Sequence, residues 1–144
     1  MKMDIRELIP NTLMAYLGME VVEASKERIV MTMPVDARTH QPMGLLHGGA
    51  SVALAESAAS LGGALNVCDD GKVVVGMEIN ANHIRPLREG VVKAIAEPIH
   101  RGSSTQVWQI RIVDERDRLV CISRCTLAVI QNRGRMQKAW PTEV

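Results

Sequence analysis

The sequence predicts an α+β fold in which a curved, six-stranded antiparallel sheet wraps around one long central helix. The helix is indicated by the run 47–66, which contains no proline, is rich in Ala and Ser, and has few bulky side chains. A helix of small residues can be approached closely on nearly every side, so we expect other structure to surround it. The remaining segments show strand patterns, and strands joined by tight turns are antiparallel. These elements together predict a layered α+β architecture.

The chain before the central helix is predicted to form a short helical segment, a hairpin and a loop. Residues 1–17 carry apolar side chains at roughly helical spacing, but Pro10 interrupts the pattern, so the helix should be short or broken. Strands at 19–24 and 28–34 are separated by a short polar turn and should pair as a hairpin. The segment 35–46 has no clear period and is predicted to be the loop that leads into the helix.

The chain from the central helix onward is predicted to complete the sheet. The helix should end near Asn66, with Gly62 and Gly63 as weak points inside it. Four strands joined by short turns follow, at 72–85, 91–100, 104–114 and 119–130. Residues 132–144 are polar and are predicted to form a flexible tail. Because neither an internal repeat nor a domain boundary is found, residues 1–144 are predicted to form a single domain.

The composition predicts a core of aliphatic side chains. A chain of 144 residues is long enough for one domain with a substantial core. It has no Phe, one Tyr and two Trp, so the core must consist mainly of Val, Ile, Leu, Met and Ala. Strand alternation places two apolar rows on one face of their strands: Ile29, Met31 and Met33, and then Trp108, Ile110 and Ile112.

Several function classes are disfavoured by the bulk properties. The net charge of +1 is spread over 17 basic and 16 acidic residues without a basic block, which argues against nucleic-acid binding. Neither a leader segment nor an apolar run of membrane-spanning length is found, so we expect a cytoplasmic protein without a membrane partner. The three cysteines lack metal-binding spacing, which fits a reducing compartment. Cys121 and Cys125 would lie roughly 13 Å apart on one strand, too far for a disulfide.

Common catalytic motifs are missing from the sequence. A His-Gly-Gly segment also occurs in the oxyanion loops of lipases, but the chain contains no G-x-S-x-G nucleophile elbow. It contains neither H-E-x-x-H nor paired C-x-x-C, so no metal site is predicted. It also lacks G-x-G-x-x-G and the P-loop motif, which argues against a nucleotide-binding fold. We therefore expect neither a metal nor a redox cofactor.

The helix and its approach carry residue types that suit acyl transfer. Gly48 lies at the helix start, where unpaired N–H groups and the helix dipole favour an oxyanion. Glu56 is the only charged residue of the run, and Ser60 lies one turn later on the same face. A carboxylate can act as base or nucleophile, and a hydroxyl can orient it or a water. Gln41 and His47 lie on the approach to the same helix start.

The helix geometry predicts that such a site is shared between subunits. Gly48 and Glu56 are eight residues apart, which corresponds to about 12 Å along a helix axis. One carbonyl group cannot contact both residues. Two central helices that run antiparallel in a dimer would bring Gly48 of one subunit to Glu56 of the other. The sequence therefore predicts an obligate oligomer with a site at each end of the interface.

Three segments carry a resemblance to a known family: HQPMGLLHGGASVALAES at 40–57, GMEINANH at 76–83 and VWQI at 107–110. They resemble the hotdog-fold acyl-CoA thioesterases, in the branch of the Arthrobacter-type 4-hydroxybenzoyl-CoA thioesterase, the enterobactin proofreading thioesterase and 1,4-dihydroxy-2-naphthoyl-CoA hydrolase. The resemblance extends from about residue 18 to residue 130. It implies a hotdog fold, thioester hydrolysis, and homodimers that pair into a homotetramer. Coenzyme A would be part of the substrate, and no separate cofactor is implied.

The resemblance also implies roles for individual residues. Glu56 would be the catalytic carboxylate, and the Gly48 N–H would polarise the thioester carbonyl. Gln41 and His47 would position the carbonyl or the nucleophile, and Ser60 would hold the hydrolytic water. The implied contacts to coenzyme A are His83, Arg85, Ser103 and Ser104. The acyl pocket is expected to include Leu61, Ala64 and Leu65 of the helix.

The predicted reaction is hydrolysis of an acyl-CoA thioester, in which Glu56 attacks the carbonyl or activates a water that does so. The anhydride and general-base routes both remain open at this stage. The branch favours aromatic acyl groups, with 1,4-dihydroxy-2-naphthoyl-CoA first and other hydroxybenzoyl or medium-chain acyl groups next. Two alternatives are a non-catalytic acyl-CoA-binding domain and a dehydratase or hydratase of the same fold. The latter would need a catalytic His with an Asp or Glu in a different motif.

Overall fold

The elements follow the predicted order in the computed structural model, which describes residues 4–134. A 3₁₀ turn at Ile5–Leu8 and helix α1 at Leu13–Tyr16 flank the break at Pro10. The central helix α2 spans Gly48–Val67 and is followed by a 3₁₀ turn at Cys68–Asp70. The strands are β1 (Glu20–Ala24), β2 (Ile29–Pro34), β3 (Lys72–His83), β4 (Val91–Arg101), β5 (Thr105–Val113) and β6 (Leu119–Gln131).

All strands belong to one antiparallel sheet with the order β1-β2-β4-β5-β6-β3. Helix α2 contacts β2, β3, β4, β5 and β6, so the sheet surrounds much of the helix. This arrangement confirms the predicted α+β architecture. β1 and β3 form the two edges, and β3 is twelve residues long. β3 also lies beside α2, so the helix and an open sheet edge are neighbours.

The core lies between α2 and the sheet. The predicted apolar rows of β2 and β5 both face it, and all six of their side chains are fully buried. Full burial of one such aliphatic side chain stabilises the fold by about 1.5–3 kcal/mol. The helix contributes Leu54 and the small residues Ala55, Ala58 and Ala59 at the contact, and all four are also fully buried.

The sequence predicted Gly62 and Gly63 as weak points of the helix. The structure differs, because α2 continues through both. An added Cβ at Gly62 would lie 2.5 Å from Cη2 of Trp108, and one at Gly63 would lie 2.5 Å from Cδ1 of Leu127. Trp108 is fixed in turn, since its Nε1–H donates to the buried Gln106 Oε1 at 2.8 Å. The two glycines therefore allow close packing of the helix on the sheet.

Some predicted boundaries differ from the structure by one or two residues. β3 ends at His83, and the N–H groups of Ile84 and Arg85 both donate to the carbonyl of Val120. Arg101 belongs to β4 rather than to the following turn, and β5 begins at Thr105. The predicted flexible tail 132–144 lies outside the described residues from 135 onward. Within residues 4–134, no helix has both the length and the apolar character needed to cross a membrane.

Replacing Gly62 by Ala should destabilise the protein. Alanine improves helix propensity by about 1 kcal/mol, but overpacking costs about 1–3 kcal/mol when the neighbour cannot move. Since the Trp108 ring is fully buried and hydrogen-bonded, we expect the overpacking to dominate. Urea unfolding of Gly62→Ala should show a lower midpoint than wild type. Adding Trp108→Leu, which removes the overlapping ring atoms, should make the Gly62→Ala penalty smaller; an equal penalty in both backgrounds would contradict this account.

Candidate active site

The start of α2 is capped by His47. Its Nδ1 accepts the Gly49 N–H at 2.7 Å, and its carbonyl accepts the N–H groups of Ala50 and Ser51. In the neutral ring the proton therefore lies on Nε2. The Gly48 N–H has no acceptor among residues 4–134, so it is the donor left over at the positive end of the helix. Such a donor suits an oxyanion.

The imidazole of His83, the last residue of β3, packs directly on Gly48. A Cβ added at Gly48 would lie 2.7 Å from Nε2 of His83. The chain therefore needs a residue without a side chain at the helix start. The prediction assigned His83 to coenzyme A contacts, whereas its ring lies beside the candidate oxyanion donor.

Gln41 is held by the loop that precedes α2. Its backbone N–H donates to the carbonyl of Leu45 at 2.8 Å, and its side-chain Oε1 accepts from the N–H groups of Met43 and Leu45. Gly44 permits this tight turn because its φ is +74°. With Oε1 occupied by the loop, the amide Nε2 is the part of the side chain that remains available as a donor.

Gln41, Gly48, His83 and Arg85 line one cavity of about 300 Å³, here named the Gly48 cavity. The structure thus brings four of the predicted site residues together. The remaining wall is mostly apolar and consists of Leu45, Leu46, Ser51, Ile84, Pro86 and Val120. A cavity with two hydrogen-bond donors, a cation and an apolar wall can bind an acyl or thioester group and orient its carbonyl.

Glu56 lies two turns beyond Gly48 and does not line the Gly48 cavity. Its carboxylate is half-buried and lies against Gly76 of β3. It accepts no hydrogen bond from another described residue. Burial, followed by the charges of Glu56 and Glu78, raises the pKa of the fully buried Cys125 thiol to about 12. Ser60 is half-buried, one turn further along α2.

A second cavity, of about 430 Å³, lies at the other end of α2 and is here named the Ser103 cavity. Besides Ser103 it is lined by Asn66, Val67, Asp70, Lys72, Arg101, Gly102, Gln106 and Val129. Ser104 is exposed and does not line it, although its carbonyl accepts the N–H of Val129. The predicted coenzyme A contacts are therefore divided between two cavities within one chain. Sequence reasoning missed Lys72 and Arg101, the two cationic residues that line the Ser103 cavity. Each stands at the end of a strand, and no spacing pattern in the sequence marks it.

The residues predicted to form the acyl pocket lie in or against the core. Leu61 and Ala64 are each only 5% exposed, and Leu65 is half-buried against the core. None of the three lines the Gly48 cavity or the Ser103 cavity. Their role as an acyl wall stays a prediction. Among residues 4–134, no group of three His, Cys, Asp or Glu side chains could hold a metal ion.

A sheet curved around one central helix is the hotdog fold, and the comparisons with known proteins show that this chain belongs to the thioester hydrolases that have it. The chain belongs to the thioesterase superfamily, whose family model matches residues 43–121. Thioesterase HI1161 from Haemophilus influenzae superposes with a TM-score of 0.84 at 51% identity, covering 88% of each chain. The predicted hotdog fold and thioesterase family are therefore confirmed.

Relatives with assigned activities point in the same direction. The 1,4-dihydroxy-2-naphthoyl-CoA hydrolase of Escherichia coli is 51% identical over 121 residues, which cover 83% of this chain and 88% of the relative. ComA2 of Bacillus subtilis, provisionally classed as an esterase, is 59% identical over 121 residues, which cover 84% of this chain and 96% of the relative. This protein is thus an enzyme, a thioester hydrolase of the thioesterase superfamily.

The three cysteines should differ in reactivity in the native protein. Burial raises the pKa of all three thiols, but Cys121 and Cys125 are buried whereas Cys68 is partly exposed, so access distinguishes them. Reaction with iodoacetamide requires both access and thiolate. At pH 8, peptide mass spectrometry should find the label on Cys68, and on the other two only after unfolding in urea. Rapid labelling of Cys125 in the folded protein would contradict the described packing.

Proposed function

We propose that the protein hydrolyses an aromatic acyl-CoA thioester, with Glu56 as the catalytic carboxylate and the Gly48 N–H as oxyanion donor. The observation that carries the proposal is the pair of unused groups on α2: a helix-start N–H and a carboxylate, neither of which has a hydrogen-bond partner among residues 4–134. Both groups are only partly buried, so both can be reached by a ligand. Acyl transfer uses both.

The two groups would meet across a dimer formed by the open β3 edges. Gly76 borders Glu56, and His83 packs on Gly48. If two β3 strands pair antiparallel about Asn80 and the extra bulge residue Met77 is not counted, Gly76 and His83 are each three positions from Asn80. Gly76 then lies opposite the partner's His83, and Glu56 comes to the partner's Gly48. The extra residue in the β3 bulge near Gly76 keeps these positions on the same face of the sheet. Each dimer would then hold two equivalent sites.

The same pairing would join the two cavities into one binding channel. Lys72 begins β3 and lines the Ser103 cavity, whereas Arg85 follows the end of β3 and lines the Gly48 cavity. Antiparallel pairing brings Lys72 and Ser103 toward the partner's Arg85. Cations and hydroxyl donors suit the phosphates of coenzyme A. We expect such dimers to pair further into a homotetramer.

The chemistry proposed for the site uses only groups of this chain and water. Glu56 either attacks the thioester carbonyl, giving an anhydride that water then cleaves, or removes a proton from an attacking water. In both routes the carbonyl oxygen becomes negative and is stabilised by the Gly48 N–H, while coenzyme A leaves as the thiol. Gln41 and His47 would position the reacting groups, and Ser60 would hold the water. The reaction needs neither a metal nor a redox cofactor, and we expect it to occur in the cytoplasm.

The substrate is proposed from relatives whose names state one. Two 1,4-dihydroxy-2-naphthoyl-CoA hydrolases, from Listeria monocytogenes and Escherichia coli, are each 51% identical to this chain. The proofreading thioesterase EntH of Cronobacter turicensis is 48% identical. 1,4-Dihydroxy-2-naphthoyl-CoA is therefore our first candidate. A medium-chain or broad-range thioesterase is second, because the expected acyl wall of Leu61, Ala64 and Leu65 is entirely aliphatic.

Glu56→Gln should lower kcat by at least about 10²-fold, because the amide can act as neither base nor nucleophile. Thiol release from a panel of aromatic and aliphatic acyl-CoA substrates measures the effect and identifies the preferred acyl group. Glu78→Gln is the matched control: this exposed carboxylate binds Asn80 on β3 and should retain most of the turnover. If Glu56→Gln keeps most of its activity, or no acyl-CoA releases thiol with the wild type, the proposed function is wrong.

Mixing two inactive variants tests the shared site. Glu56→Gln keeps the donor and lacks the carboxylate, whereas Gly48→Pro keeps the carboxylate and lacks the N–H. A mixed dimer would contain one site with both defects and one with neither. With random pairing, equal amounts and independent sites, activity should recover to about a quarter of wild type.

Two controls support this experiment. Circular dichroism must show that Gly48→Pro is folded, and native mass spectrometry with one isotope-labelled variant must show subunit exchange. Persistent inactivity of subunits that demonstrably exchange would mean that the two groups do not meet across the interface.

A further inference from the structure

β3 contains a bulge at the point where it passes Glu56. Gly76 pairs with Leu127 and Glu78 with Thr126, so Met77 is an extra residue on the β3 side. A bulge of this kind redirects the side chains that follow it. Val74 packs on the core before the bulge, and Ile79 does so after it, which is a change from even to odd positions. The alternation of inward-facing and outward-facing side chains along β3 therefore shifts by one residue beside the Glu56 carboxylate.

A glycine at position 76 is needed because it has no side chain, and not because of its backbone conformation. The glycines with positive φ in residues 4–134 are Gly18, Gly44, Gly71, Gly90 and Gly134, and Gly76 is not among them. Any residue could therefore adopt its backbone geometry. However, an added Cβ at Gly76 would overlap Oε1 of Glu56. The carboxylate of Glu56 occupies the space that a side chain at position 76 would fill.

Packing, rather than hydrogen bonding, restrains the Glu56 side chain. Its carboxylate accepts no hydrogen bond from another described residue. On the neighbouring strand β6, the Cys125 side chain is fully buried and close enough for the Glu56 charge to raise its thiol pKa. The thiol is protonated at neutral pH and adds no negative charge there. The carboxylate thus lies in a niche beside the β3 bulge.

We propose that Gly76 is a positioning residue for thioester hydrolysis, because the bulge and the missing side chain form the niche that holds the Glu56 carboxylate in its reactive orientation. This inference rests on the proposed role of Glu56 as the catalytic carboxylate. A displacement of about 1 Å in a reacting group can cost about 10²-fold in rate. A methyl group at Gly76 must displace the carboxylate, whereas the residues that bind coenzyme A lie in the two cavities and stay in place.

Gly76→Ala should therefore lower kcat by about 10- to 100-fold and leave KM within about threefold of wild type. Val22→Ile is the control, since it adds one carbon at an exposed position of β1, the strand at the opposite edge of the sheet. It should retain wild-type turnover. Circular dichroism and native mass spectrometry check that both variants keep the fold and the oligomeric state.

Combining Gly76→Ala with changes at Glu56 distinguishes positioning of the Glu56 carboxylate from a general disturbance of strand β3. In the Glu56→Asp background the carboxylate is one carbon shorter, so the kcat penalty of Gly76→Ala should shrink to less than about threefold. Thermal unfolding gives a readout without turnover. The change in Tm caused by Gly76→Ala should be less favourable in the wild-type and Glu56→Gln backgrounds, where the side chain has the same shape, than in the Glu56→Ala background.

The outcomes distinguish this inference from the proposed function. An equal effect of Gly76→Ala on kcat in the wild-type and Glu56→Asp backgrounds, or an equal effect on Tm in all Glu56 backgrounds, would contradict the proposed niche, whatever the role of Glu56. Full activity of Glu56→Gln would instead overturn the proposed catalytic carboxylate, and the positioning role with it, even if the Tm cycle shows the overlap.

Discussion

The close approach of α2 to the sheet is the constraint on which the rest of the structure depends. Ala55, Ala58 and Ala59 are fully buried at this contact, and Gly62 leaves space that the Trp108 ring fills. Each pair of touching atoms contributes only about 0.1–0.2 kcal/mol, but a buried face contains many such pairs. A larger residue on this face would separate the helix from several strands at once. The helix is therefore held along its length.

A helix held in this way fixes the distance between its own functional groups. Gly48 and Glu56 stay about 12 Å apart along the axis, which is too far for one carbonyl group. A second copy of the chain, paired as we propose, would solve this problem and cover the β3 edge as well. Val75 and Met77 on that edge are 37% and 63% exposed. An unpaired edge of this length favours uncontrolled association, so its pairing would provide both protection and the shared site.

The sequence allowed most of the fold to be predicted, because its patterns are local. Small residues over one long run indicated α2, and alternation indicated the buried rows of β2 and β5. The close contacts of Gly62 and Gly63 could not be predicted, since they depend on which distant side chains face the helix. The bulge had a weak signal: a glycine inside a strand often marks a bulge or a close approach. For the site, spacing drew attention to Glu56 and Gly48 but not to the Lys72 of the second cavity.

The two halves of the proposed site are held by different forces, and the chemistry explains why. Donors must point at the carbonyl oxygen before charge develops, and backbone hydrogen bonds hold them: the loop fixes Gln41, and His47 caps the helix next to Gly48. A carboxylate held by several N–H groups would be stabilised in its charged form and would be a weaker base or nucleophile. Shape can orient a carboxylate without this loss of reactivity. A niche formed by a glycine in a strand bulge therefore suits Glu56 better than a set of hydrogen-bond donors would.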